Sequence, residues 1–190
     1  GLNSGWNEQA KRETVEWEVG QGQLRNNEYD PYDPFTIADG HGRIDNPQSQ
    51  GLEPVLIRQG SIYPDGRMYS AFLRGIDADQ KIIKVPVHLV KNSKADFPVL
   101  IGKRMAESAN LREGDEVLMR WRDKNGTYDA AMITVAGIFD CNLPTVDAGQ
   151  IWMDIHKLYK ITGLPENVAT FYISATANKT ITAEGWTYYS

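Results

Sequence analysis

The chain has 190 residues, a net charge of −5, 41% hydrophobic and 24% charged residues, which are ordinary globular proportions for one large or two small domains. The acidic balance argues against a nucleic-acid partner, which needs a basic surface. No apolar run reaches the roughly 18 residues of a membrane span, and no signal-peptide pattern is present.

Trp6, Ala10, Thr14 and Trp17 recur at near-helical spacing and predict a first helix with a thin apolar stripe. Gly20 and Gly22 break it, and a short strand is expected around Gln23–Leu24. The stretch NNEYDPYDPFTIADGHGRIDNPQSQG, with Pro31, Pro34 and Pro47, is rich in turn formers and predicts a loop over residues 25–50, with at most a short helix near Phe35–Asp39. From Pro54 the pattern turns to strands. PVLIRQGSIY and RMYSAFLRGID flank Pro64–Asp65–Gly66, a hairpin signal, and KIIKVPVHLV reads as an edge or bulged strand because of Pro86.

LIGKRMAESANLREGDEVLMRW, from Leu100 to Trp121, reads as a strand end, a short helix, a tight turn and a second strand. Gly114 and Asp115 form the structural hinge of this unit. Gly supplies positive φ, and Asp can hydrogen-bond backbone N–H groups two residues on. A second hairpin is expected across Asn125–Gly126. After Pro144 a helical face of Ile151, Ile155, Leu158 and Tyr159 ends at Gly163 and Pro165. VATFYISA then reads as the last strand.

Motifs for chemistry nearly form and fail. IGKRM lacks a phosphate loop because Phe97 stands where its first Gly would be. GQGQLR and GHGRID lack the third glycine of a dinucleotide loop. His41, His88 and His156 share no metal-ligand spacing. His41, flanked by glycines, is the most exposed candidate, and a solvent-facing loop histidine is the simpler reading. Asp30 and Asp33 each precede a proline and read as turn residues, while Asp77 and Asp79 form a second carboxylate pair too small for a calcium loop. Cys141, the single cysteine, permits no internal disulfide and reads as a small buried side chain. No catalytic, cofactor-binding or metal residue is expected.

Taken in order, GQGQLRNNEYDPYD, PVLIRQGSIYPDGRMYSAFLRGID, FPVLIGKRMAESANLREGDEVLMRW, ITVAGIFD and DAGQIWMDIHKLYKITGLPENVATFYIS resemble one family. It is the periplasmic core domain of bacterial ABC-transporter permeases of the macrolide-exporter, lipoprotein-release and cell-division type (MacB-like, FtsX-type). The resemblance spans about residues 15–187. It implies an α+β fold: a discontinuous α/β porter-like subdomain over 1–57 plus 140–190, with a β-rich sabre-like subdomain inserted over 58–139.

It further implies a non-enzymatic domain on the periplasmic side of the inner membrane, between two membrane helices. Such a domain couples ATP-driven helix motion to substrate or partner handling in export or lipoprotein release. The implied partners are a cytoplasmic ATPase, a permease homodimer or heterodimer, and a periplasmic adaptor or lipoprotein. Trp6, Trp17, Trp186 and Tyr188 are then membrane-proximal, since Trp and Tyr favour the bilayer interface. No long hook of the lipoprotein-release type is present, so a lipoprotein substrate is not supported. Two alternatives stay open: a small β-barrel enzyme domain, and a free-standing periplasmic binding or adaptor protein.

Overall fold

A computed structural model describes residues 20, 22–176 and 181–189. The expected first helix, with Trp6 and Trp17, lies outside the described residues. Sheet dominates the mixed α/β fold, whose nine strands among the described residues are β1 (Gly22–Asn26), β2 (Leu52–Ile62), β3 (Tyr69–Ile76), β4 (Pro98–Gly102), β5 (Glu116–Arg122), β6 (Tyr128–Phe139), β7 (Gln150–Asp154), β8 (Phe171–Ser174) and β9 (Trp186–Tyr189). Among the described residues four α-helices accompany them: α1 (His88–Lys91), α2 (Lys103–Ala109), α3 (Pro144–Gly149) and α4 (Ile155–Thr162).

The sheet runs β3-β7-β4-β6-β5-β2-β8-β1-β9, and an additional β2–β3 pairing closes its first six strands into a barrel. Closure follows from the length of β2. Its residues Leu56–Ile62 pair with β3, Gly60–Ile62 also pair with β5, and Leu52–Val55 run on to pair with β8. One strand therefore belongs both to the barrel and to the sheet that continues through β8, β1 and β9. A closed ring leaves no unpaired edge among its strands.

Alternation along each strand fills the barrel. Leu56, Ile62, Leu73, Val99, Ile101, Val117, Met119, Trp121, Ile133, Val135, Ile151 and Met153 form one buried cluster, which α2 and α4 extend with Met105, Leu158 and Tyr159. Gly75 lets α4 approach β3: a Cβ there would lie 2.9 Å from Ile155 Cα. The outer face carries a second cluster, with Val55, Ile57, Ile76, Leu100, Trp152, Phe171 and Ile173. Cys141 is buried in this second cluster.

Both expected hairpins form, with positive φ at Asp65 (52°), Gly66 (77°) and Gly126 (79°). Three expectations need correction. Residues 81–90 form no strand; Val87 leads into α1, and the Gln80 side chain accepts from the backbone N–H of Ile82 and Ile83 in place of a ladder. Ile151 belongs to β7 and not to a helix, because the buried run Gln150–Met153 fits between β3 and β4, where both faces are covered. A further strand, β9, follows the one read as last. Of the two flanks around residues 58–139, β1 and β8 pair with each other, whereas β7 and α4 lie with the barrel.

Candidate functional site

The hinge is built from its backbone outward. Helix α2 ends at Asn110, whose φ of 54° turns the chain out of the helix. Leu111 N–H donates to Ala106 O at 2.9 Å, and buried Leu111 and Val117 anchor the turn on either side. Gly114 has φ +92°. Its N–H donates to Val135 O at 2.8 Å, and Val135 N–H donates back to Asp115 O at 2.9 Å. The turn is thus clamped to β6 before β5 begins. Asp115 Oδ2 accepts from Arg112 N–H at 2.8 Å. The capped group lies three residues upstream, where a downstream partner was expected.

The other end of the sheet brings the two described extremities together. Strand β1 pairs with β9, Gln23 opposite Tyr189 and Asn26 opposite Trp186. Trp186 and Tyr188 pack against a satellite core of Leu24, Leu52, Ala169, Tyr172 and Ile181. The Trp186 ring lies 5.2 Å from that of Tyr172, and the Tyr188 hydroxyl covers Gly22 so closely that no Cβ fits there. Both aromatics are half-buried, with one side on this core. The Arg25 guanidinium sits 4.1 Å from the Tyr189 ring centre, reinforcing the edge pair.

The three histidines stay apart. His41 Nε2 is 3.1 Å from Ala38 O, and burial, then the Arg58 charge, lowers its pKa. His88 is exposed on α1. His156, at the start of α4, gathers three carboxylates that the sequence gave no reason to group. Its Nδ1 lies 3.2 Å from Glu166 Oε2 and its Nε2 3.6 Å from Asp77 Oδ2, while Asp154 precedes the helix. Burial lowers the His156 pKa, but Asp154, Glu166 and Asp77 outweigh it and the net shift is upward. Asp154 is itself raised, chiefly by burial.

The carboxylate pairs serve turns. Asp30 and Asp33 accept from the N–H of Tyr32 (2.9 Å) and Phe35 (3.0 Å), and Asp77 accepts from Asp79 N–H (2.8 Å). Asp79 also pairs with Lys91 at 2.6 Å. Among the described residues, no three His, Cys, Asp or Glu side chains are grouped to hold a metal ion. No described helix is long and apolar enough to cross a membrane.

No family model matches the chain, and no curated protein matches it. Among solved structures it is similar to the extracellular domain of the noncanonic ABC-type transporter YknZ from Gram-positive bacteria. That similarity covers 82% of this chain and 84% of the other at 12% identity, with a TM-score of 0.45.

Proposed function

We propose that this chain is an extracytoplasmic, non-enzymatic domain of an ABC-type permease, carried between two membrane helices. The observation that carries the reading is the pairing of β1 with β9, Gln23 opposite Tyr189. Whatever precedes β1 and whatever follows β9 leaves from neighbouring strands at one edge of the sheet. A domain inserted between two helices of a bundle needs this arrangement, and it supports the resemblance of the ordered segments.

On this reading a cytoplasmic ATPase drives the helices, and their movement reaches the sheet through β1 and β9. The barrel delivers it to a second permease domain, an adaptor or the exported substrate. Trp186 and Tyr188 then lie toward the bilayer. On this reading the flanks 1–57 and 140–190 act as the porter-like part and residues 58–139 as the sabre-like part, the two sharing the barrel through β7 and α4, with Gly114–Asp115 as the fixed turn within the latter.

The test is topological. In spheroplasts producing the whole natural protein with Cys141→Ser, a cysteine placed at exposed Gln48 should react with a membrane-impermeant maleimide. The labelled protein should sediment with membranes. Labelling only after lysis, or recovery in the soluble fraction, would refute the reading.

A further inference from the structure

Strand β5 alternates strictly. Val117, Met119 and Trp121 fill the barrel, while Glu116, Leu118, Arg120 and Arg122 face outward. Across the ladder their partners are Thr134, Met132, Ala130 and Tyr128. Leu118 is 41%, Met132 52% and Tyr128 52% exposed, so this wall of the barrel is open and partly apolar. It is also basic at one end. The Tyr128 ring centre lies 3.9 Å from the Arg120 guanidinium and 4.3 Å from that of Arg122, which donates to the Tyr128 hydroxyl at 2.6 Å. Among the described residues no carboxylate pairs with either arginine. A guanidinium stacked on a ring still presents N–H groups to an anion, and has less freedom left to lose on binding.

A second exposed patch has the complementary character. Between Arg25 and Arg43 the chain has no lysine or arginine, and it carries the carboxylates Glu28, Asp30, Asp33 and Asp39. At the tip of this loop Tyr32 is 95% and Phe35 90% exposed, more than any other large apolar side chain described. The tip is built, not slack. Tyr32 N–H donates to Asp30 Oδ1 and Phe35 N–H to Asp33 Oδ1. The Thr36 hydroxyl donates to Asp33 O at 2.7 Å and accepts from Asp30 N–H at 2.9 Å. Buried Ile37, and Tyr29 stacked on Phe171, hold both ends of the tip to the outer sheet. Two aromatics are thereby fixed in water beside carboxylates, and exposed apolar groups of this kind mark contact surfaces.

We propose that the two patches are the halves of one contact between copies of this chain. The Tyr32–Phe35 tip of one copy lies on the Leu118–Met132 wall of another, with the loop carboxylates toward Arg120 and Arg122. Sign and apolar character are complementary on the two sides, and tyrosine and arginine are the side chains that most often carry interface energy. Tip and wall are different surfaces, so the contact is heterologous: a pair still has one tip and one wall to offer unless a ring closes. A few side chains a side make a small, transient interface, which gains strength where copies are held side by side. The proposal rests on these surfaces and not on the permease reading.

Sedimentation velocity of the purified chain from about 10 μM to about 1 mM brackets a contact of that class. The weight-average mass should rise with concentration, and rise less at high salt, which screens the carboxylate–guanidinium part. One double variant, Tyr32→Ser with Phe35→Ser, and another, Arg120→Glu with Arg122→Glu, change only exposed side chains. Each should stay monomeric across the range while melting as the parent does. Mixed together they should associate again, but only as pairs, because one intact tip meets one intact wall. If the arginine variant does not fold, the tip variant alone decides. A monomeric parent, a tip variant that associates as the parent does, or a mixture that stays monomeric would overturn the proposal. A monomeric parent that floats with phosphatidylcholine vesicles would overturn it too, and would give the tip a bilayer as its occupant.

Discussion

Gly114 isolates a backbone cost from a packing cost. Its φ of +92° lies beyond the ordinary left-handed well, so any residue with a Cβ is strained there. A Cβ built at this position meets nothing within 4 Å, so no steric clash adds to the torsional term. Substitution also narrows the unfolded ensemble, which returns about 0.4–1 kcal/mol. Gly114→Ala should therefore cost about 1 kcal/mol net, and Gly114→Val up to about 3 kcal/mol, because branching at Cβ narrows the accessible φ further. Gly114→Asn should cost least, since Asn tolerates positive φ. At about 2–4 °C per kcal/mol for a chain of this size, Val should melt about 6–12 °C below the parent. Asp115→Ala removes only a cap on Arg112 N–H, an exposed residue that water can serve, and should cost about 0.5–1 kcal/mol. Calorimetric melting of the four variants reads this order. A Val variant melting within a degree of the parent would refute the reasoning.

At Gly75 the cost should be steric instead: a Cβ there lies 2.9 Å from Ile155 Cα and 3.0 Å from Leu158 Cδ2, so Gly75→Ala should lose about 1–3 kcal/mol in urea unfolding. Stability should fall as pH rises where Glu53, Asp154 and His156 titrate, because folding raises their pKa values, while the lowered pKa of His41 works in the opposite sense only below about pH 6.5. The folded chain then holds more protons than the unfolded one. The carboxylates act from pH 4–5 upward, starting at their ordinary values. The His156 contribution is complete below its ordinary value of about 6.5 and is lost as pH climbs through the raised one. In urea titrations, His156→Gln should flatten the loss above pH 6.5 and leave the acid-side slope; an unchanged upper slope would contradict the assignment.

What the sequence revealed is what neighbouring residues decide among themselves. Pro64–Asp65–Gly66 and Asn125–Gly126 need positive φ locally, so both hairpins could be read before any partner was known. Residues 81–90 show the limit of the same reading. Ile83, Val85 and Val87 are buried and Lys84 and His88 exposed, a true alternation. Among the described residues no strand pairs with them, and alternation cannot say whether a ladder exists. Ile151 fits a helical face with Ile155, but β3 and β4 offer places on both sides of residues 150–154, and tertiary pairing overrides local period. The aromatics of GWTYY read as membrane-proximal residues or as the cap of a core, and that they also form a strand depends on β1, more than 150 residues away. A cavity of about 400 Å³ beside Gln23, Arg74 and Gln150 was hidden for the same reason, because its lining comes from β1, β2, β3, β7, β8 and the Tyr29–Ile37 loop, and no local spacing links those residues.

Strand β2 leaves the barrel for the outer sheet beside a single side chain. Up to Val55 it pairs with β8, and from Leu56 with β3. At the change, Thr170 N–H donates to Val55 O at 2.9 Å, and Ile57 N–H donates to Thr170 Oγ1 at 2.9 Å. Thr170 O accepts from Asn26 N–H at 3.1 Å, so β1 is tied to the same point. Thr170 is fully buried, and no water can replace its hydroxyl at the Ile57 amide. Thr170→Val keeps the shape and removes the acceptor, leaving a buried N–H unsatisfied at a cost of about 1–3 kcal/mol. The loss should be local. Amide exchange at Ile57 should accelerate well before that at Met119, deep in the barrel and joined to β2 through Ile62. Equal acceleration at both would mean that barrel and outer sheet open as one unit, and that Thr170 is not the joint between them. If movement arrives at β1 and β9, this joint stiffens the path from the edge strands to the barrel, and Thr170→Val should weaken that coupling without disturbing either end.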